Sequence, residues 1–388
     1  MDPDRLFSLR AMAPGMAEEV PKTRGGEARS PAPTSAPGPE TPTLAERLIA
    51  AFHLPYAAGC ALVGLVLFGV LDVWLTAYAA TLDLSRAVAT ALNPASVLTA
   101  LLVAYAFYAP GYMRGRLVQA ETSLSTLLPD GRDGYRRVFA GVSALRPQLV
   151  VWALFFVTLL VALSAPALLG TGPSSIGSGG GPGTALELIA GVYDLASYAV
   201  ATLGLSSVVW TYWSISRGIH RFGGAALALR PYFEDAFLGL KPVGSLALSV
   251  ASAYFGFIAL FLFILAASPT SPTLGDIIGV GGFLSGLIVL GVLLFFLPLR
   301  RLHHRMIREK HREVGGLREK LAPVFQEPVQ AGPLRDIGHL FRLDMMDRKV
   351  SSMALWPFDL RILGRLSVIA LSVTAILISR IVGLLLRI

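Results

Sequence analysis

Residues 65 to 80, LVLFGVLDVWLTAYAA, are apolar nearly throughout yet carry a carboxylate, Asp72, near their middle. A charge there is cheap on a helix facing water and costly inside a bilayer, so the reading turns on the medium. Composition answers that. The 388 residues are 54% hydrophobic and 15% charged, with a mean hydropathy of +0.63, well short of the roughly 25% charge of an average soluble domain. The sequence predicts an all-α fold, a polytopic transmembrane helix bundle of about seven spans joined by amphipathic cytoplasmic connectors.

Working outward from Asp72, seven apolar stretches have about the 20 residues that cross hydrocarbon of about 30 Å. They run approximately over 57 to 81, 94 to 112, 148 to 170, 185 to 213, 243 to 267, 277 to 299 and 366 to 386. The second is the weakest, because Pro110 and several tyrosines fall near its end. Before them, residues 1 to 43 are rich in Pro, Ala, Gly, Ser and Glu without apolar periodicity, the composition of a disordered tail with no signal-peptide core. Thr43 and Glu46 have capping-box spacing for a short helix. The chain thus divides into the tail (1–43), a six-span membrane domain (44–299), a cytoplasmic amphipathic helical segment (300–365) and a final transmembrane helix (366–388).

The net charge of +8 is explained by topology. Connectors after the first, third and fifth stretches hold one basic residue, Arg86. Those after the second and fourth hold Arg114, Arg116, Arg132, Arg136, Arg137 and Arg146, then Arg217, Arg221, Arg230 and Lys241, and the one after the sixth is basic from Arg300 to Arg365. The positive-inside rule puts the N-terminus and these three connectors in the cytoplasm. Nucleic-acid binding is set aside, and attraction to anionic lipid is expected in its place.

Three hairpins recur. In two of them the return helix follows matching tetrapeptides, Ala144-Leu145-Arg146-Pro147 and Gly239-Leu240-Lys241-Pro242, a basic residue and Pro suiting a helix start at the interface. The third carries Trp356-Pro357-Phe358-Asp359, with Trp356 and Phe358 expected at the interface and Asp359 as a cap. Over about 15 residues this ending resembles that of uncharacterised prokaryotic multi-pass membrane proteins. The resemblance implies a prokaryotic cell, with the protein in its inner or plasma membrane, and no activity.

Few residues suggest chemistry. His303, His304 and His311 are close in sequence, but the last two are seven apart, about 10 Å along a helix, too far for one metal ion. The lone Cys60 allows no intramolecular disulfide. Gly282 and Gly286 have the GxxxG spacing of close helix packing. No nucleotide-loop or hydrolase motif occurs, so neither an enzyme nor a cofactor is expected. The apolar positions Ile307, Val314, Leu317, Leu321 and Val324 form a stripe that suits packing on the protein's own connectors. The same segment, over residues 300 to 325, is an alternative contact for a second copy or a cytoplasmic partner.

What remains is charge within the spans. Asp72 and Asp194 both sit in Gly-Val-x-Asp, Glu187 shares the Asp194 face, and Arg380 lies in the last stretch. Counted at 1.5 Å per residue from the cytoplasmic edge, Asp72, Asp194 and Arg380 lie about 24, 28 and 22 Å deep. Two functions follow. One is a transporter or channel-like protein with an outward-facing polar site of Asp72, Asp194, Glu187 and Arg380; the other is a non-catalytic membrane scaffold or signalling component acting through its basic cytoplasmic helices.

Overall fold

The computed structural model describes residues 41–66, 94–168, 185–232, 234–267, 274–326 and 333–358, and some of those between 364 and 382. Every regular element among them is helical. Two short helices, α1 (Leu44–Ala50) and α2 (Tyr56–Leu62), precede α3 (Pro94–Leu124), α4 (Gly131–Phe139) and α5 (Leu145–Leu168). Then come α6 (Ala185–Gly224), α7 (Lys241–Ala267), α8 (Leu274–Gln326) and α9 (Pro333–Ser351).

Five of these carry segments long and apolar enough to cross a membrane: Ser96–Leu127, Gly131–Ala162, Gly191–Gly224, Lys241–Leu265 and Gly281–Gly316. They correspond to the second through sixth apolar stretches, which makes this a multi-pass membrane protein in contact with lipid. The stretches at 57–81 and 366–386 lie largely outside the described residues, and the described part of the first is the short apolar helix Tyr56–Val66.

Pro110 does not end its helix. α3 runs through it to Leu124, so Ala109 and Met113 stay in the buried core on either side. In a bilayer, neighbouring helices and local adjustment make good the backbone bond that Pro removes. The connector beyond is amphipathic: α4 buries Tyr135 and Phe139 while Arg132 and Arg137 face outward.

The bundle is centred on α3, α6, α7 and α8. α3 packs along α6 and α7, and α8 closes the other side against the same two. Their common core is dense with aromatics, including Tyr212, Tyr254, Phe255 and Phe295, and the Tyr212 and Tyr254 rings are 4.8 Å apart. α5 is peripheral, held mainly by α6. Among the described residues only 6% of its most apolar stretch is buried by protein, against 44% for α7, so its face belongs to lipid.

Because lipid tails are as apolar as the side chains, burial alone does not hold such helices together; packing and hydrogen bonds do. Aromatic donors supply the second. The hydroxyl of Tyr105 donates to Ala253 O (3.0 Å), Tyr212 to Gly291 O (2.8 Å), Tyr254 to Leu287 O (3.0 Å), Tyr135 to Leu117 O (2.8 Å) and Tyr56 to Phe107 O, while Trp152 Nε1 donates to Ala199 O (3.0 Å). Each bond ties one helix to a carbonyl of another, satisfying a polar tip that would otherwise be stranded.

Glycine supplies the close approach. A Cβ on Gly291 would lie 2.6 Å from Tyr254 Cε1, and one on Gly256 2.6 Å from the Tyr105 oxygen. Gly282 and Gly286 are different. Among the described residues nothing lies within 4 Å of a Cβ at either position, and the close approach of α8 to a described neighbour is at Gly291.

Candidate functional site

The four expected site residues are unequally placed. Asp72 and Arg380 lie outside the described residues, as does the side chain of Glu187, whose backbone is in α6. Asp194 is on α6, half-buried, and its backbone carbonyl accepts a bond of 2.9 Å from the Ser197 hydroxyl. Glu187 and Asp194 are seven residues apart, so about 10 Å separates them along one helix face.

The basic end of the bundle is built in greater detail, beginning at α1. Thr43 and Glu46 form the expected capping box: Thr43 N donates to Glu46 Oε2 (2.8 Å) and Glu46 N to Thr43 Oγ1 (3.4 Å). Sequence reasoning missed the third partner. Arg114 of α3 donates from Nε to Glu46 Oε1 at 2.8 Å, with Glu46 almost fully buried. Beside it, Leu44 N donates to Gln148 Oε1 on α5 (3.2 Å), and the fully buried Gln148 donates on to Ser207 of α6 (3.4 Å). A helix of seven residues, too short to be stable alone, is thereby tied to three others.

α8 continues unbroken from the apolar run into RRLHHRMIREKHREVGG. The face it buries is Leu299, Leu302 and Met306, with Val314 packed against the core at its far end. Of the expected stripe, Val314 packs against the bundle core, Ile307 is half-buried, and the side chains of Leu317, Leu321 and Val324 fall outside the described residues.

Basic side chains here bond backbone carbonyls at and beyond helix ends. Arg305 donates to Ala225 O and, at 3.5 Å, to Leu227 O, in the chain just beyond the end of α6. Lys310 donates to Ser351 O (2.8 Å) and Met353 O (3.1 Å), closing α9. Terminal carbonyls lack partners within their helix and attract cations, so a lysine in an otherwise apolar stripe is explained. Replacing Lys310 by Met should lower stability by about 0.5–1 kcal/mol and raise amide exchange at residues 348 to 353, as followed by hydrogen–deuterium exchange.

The Trp-Pro-Phe string wedges into this end. His303 stacks on Trp356 with ring centroids 4.0 Å apart and bonds through Nδ1 to Leu355 O (2.7 Å). Trp356 also meets Phe296, and Phe358 meets Phe295. The Pro357 carbonyl rests directly on Gly244 of α7. Asp359, the expected cap, lies outside the described residues. The Asp235 carboxylate folds the preceding connector by accepting from Phe237 N and Gly239 N, both at 2.9 Å, and Ala354 N donates to Ala236 O (3.1 Å). Burial and the nearby Glu313 raise the Tyr232 hydroxyl above its ordinary value.

The two tetrapeptides share a role but not a backbone. α5 starts at Leu145 and α7 at Lys241. Gly239 has a φ of +84°, a conformation open to glycine, whereas Ala144 is ordinary extended chain. The repeat is thus a repeat of helix starts.

Beyond these contacts α9 stands open. Phe341 and Met345, one helical turn apart, are 63% and 55% exposed, and Met346 beside them is 40% exposed. Comparison with protein-family models, curated proteins and solved structures found no match for this chain.

Proposed function

We propose that this is a non-catalytic scaffold or signalling component of a prokaryotic cell membrane, with its N-terminus in the cytoplasm and its working surface on α9 and the basic half of α8. One observation carries the reading: Phe341, Met345 and Met346 are exposed on a helix whose end is fixed by Lys310, outside the five apolar spans. Flexible, polarisable methionines beside an aromatic suit a protein contact, and a partner or second copy would cover them. The α8 extension sets the surface off from the bilayer. From Arg300 to Gln326 it is 27 residues, about 40 Å at helical rise. A dense aromatic core between α3, α6, α7 and α8 supports a fixed platform more than a path through those four helices.

The test is a photo-cross-linking residue at position 345 in the full chain, expressed in cells. The expected result is one discrete adduct, a dimer or a single partner, that is lost with Phe341→Asp. If position 345 gives no more adduct than the exposed position 116, the reading fails.

A second reading is favoured by Asp194, half-buried on an α6 face of small residues: a transporter or channel-like protein whose outward polar site joins it to Asp72, Glu187 and Arg380. It predicts solute, ion or proton flux into liposomes that falls at least tenfold with Asp194→Asn. Equal flux in the two proteins would remove it.

A further inference from the structure

One cavity at the basic end is used by none of the contacts above. It has a volume of about 200 Å³ and lies between α6 and the turn that joins α4 to α5. Its α6 wall is Trp210, Trp213, Ser214, Arg217, Gly218 and Arg221; the facing wall includes Val138, Gly141, Ala144 and Pro147. Steps of three and four put the α6 residues on one face.

The polarity of this wall is graded. Over the 12 residues from Trp210 to Arg221, about 16 Å of helix, it passes from indole rings through a hydroxyl to two guanidinium groups. Trp213 is 46% exposed and stands where the charge pattern puts the membrane edge, the depth that suits tryptophan. Towards the bilayer the facing wall continues along α5 as Pro147, Val150 and Leu154, with Val150 and Leu154 more than 60% exposed.

The arginines are the informative part. Arg114 pairs with Glu46, Arg136 with Glu121 and Arg137 with Asp130, but Arg217 and Arg221, both exposed, have no ion pair or hydrogen bond among the described residues. Two like charges one helical turn apart repel unless an anion lies between them. An anion with an apolar tail matches the rest of the wall.

We infer that this cavity is a binding site for the phosphate headgroup of an anionic membrane phospholipid, held by Arg217 and Arg221, with its glycerol region against Trp213 and its acyl chains along Val150 and Leu154. The geometry of a guanidinium suits a phosphate's paired oxygens, and basic pockets beside spans on the cytoplasmic side are where such headgroups bind. The site is independent of the α9 surface.

The test uses the full-length protein in mild detergent, titrated with phosphatidylglycerol or phosphatidylcholine and read by native mass spectrometry. Wild type should bind phosphatidylglycerol in preference to phosphatidylcholine. Arg217→Gln with Arg221→Gln should cut that preference about tenfold or more, while Arg132→Gln with Arg312→Gln, the same charge loss at exposed positions outside the cavity, should leave it unchanged. Arg217→Lys with Arg221→Lys should retain most of it, a control for folding. Equal loss in both Gln pairs would mean diffuse attraction and would overturn the site, as would no loss in either. Displacement of the lipid by millimolar inorganic phosphate would overturn it in favour of a soluble anion.

Discussion

Gly244→Ala is expected to destabilise the protein by about 1–3 kcal/mol, as overpacking does in a rigid interior. The added carbon would meet the carbonyl of Pro357 and come within 2.9 Å of Phe358 Cβ. A carbonyl in a constrained wedge cannot rotate away as a side-chain tip can. Alanine's better helix propensity returns at most about 1 kcal/mol, so the clash wins. Gly282→Ala and Gly286→Ala are the comparison, since each meets only open space among the described residues and gains propensity alone. Denaturant unfolding in detergent should therefore move Gly244→Ala down and leave the other two level or slightly up. The same experiment decides whether the GxxxG spacing or the Trp-Pro-Phe wedge marks the tighter contact.

Glu46→Ala should lose roughly 3 kcal/mol, the lower part of the range for removing one partner of a buried ion pair. Glu46 is almost fully buried, so its loss leaves Thr43 N without its acceptor and Arg114 without its counter-charge. Arg114 keeps some access to water, and that softens the penalty. Glu46→Leu combined with Arg114→Met should recover part of the loss, because no uncompensated charge is then left behind. A double-mutant cycle by thermal unfolding measures the coupling. If the double variant is as unstable as the sum of the singles, the pair contributes nothing beyond its separate contacts.

Local rules made much of the fold legible. Apolar length marked five spans, side-chain spacing marked the Thr43–Glu46 cap, and a basic residue followed by Pro marked the starts of α5 and α7. What escaped depends on partners distant in sequence. Arg305 bonds the Ala225 carbonyl 80 residues earlier, just past the end of α6, Lys310 reaches carbonyls about 40 residues on, and His303 finds Trp356. No spacing rule announces such pairs; only the fold brings them together. Pro110 misleads for a related reason, since its neighbours in the bundle decide whether the helix survives it. The acid site shows the other limit: shared depth placed Asp72, Asp194 and Arg380 at one level, but depth says nothing of which helices adjoin, and only Asp194 has a described side chain.

In the proposed orientation α9 and the basic end of the bundle face the cytoplasm, while the connectors after the odd-numbered stretches face outward. Single cysteines at positions 345 and 177, in a background with Cys60→Ala, test this directly with a membrane-impermeant thiol reagent. Position 345 should label in inverted membrane vesicles and not in intact spheroplasts, and position 177 should do the reverse. Labelling of position 345 in intact spheroplasts, or of both positions from the same side, would contradict the account.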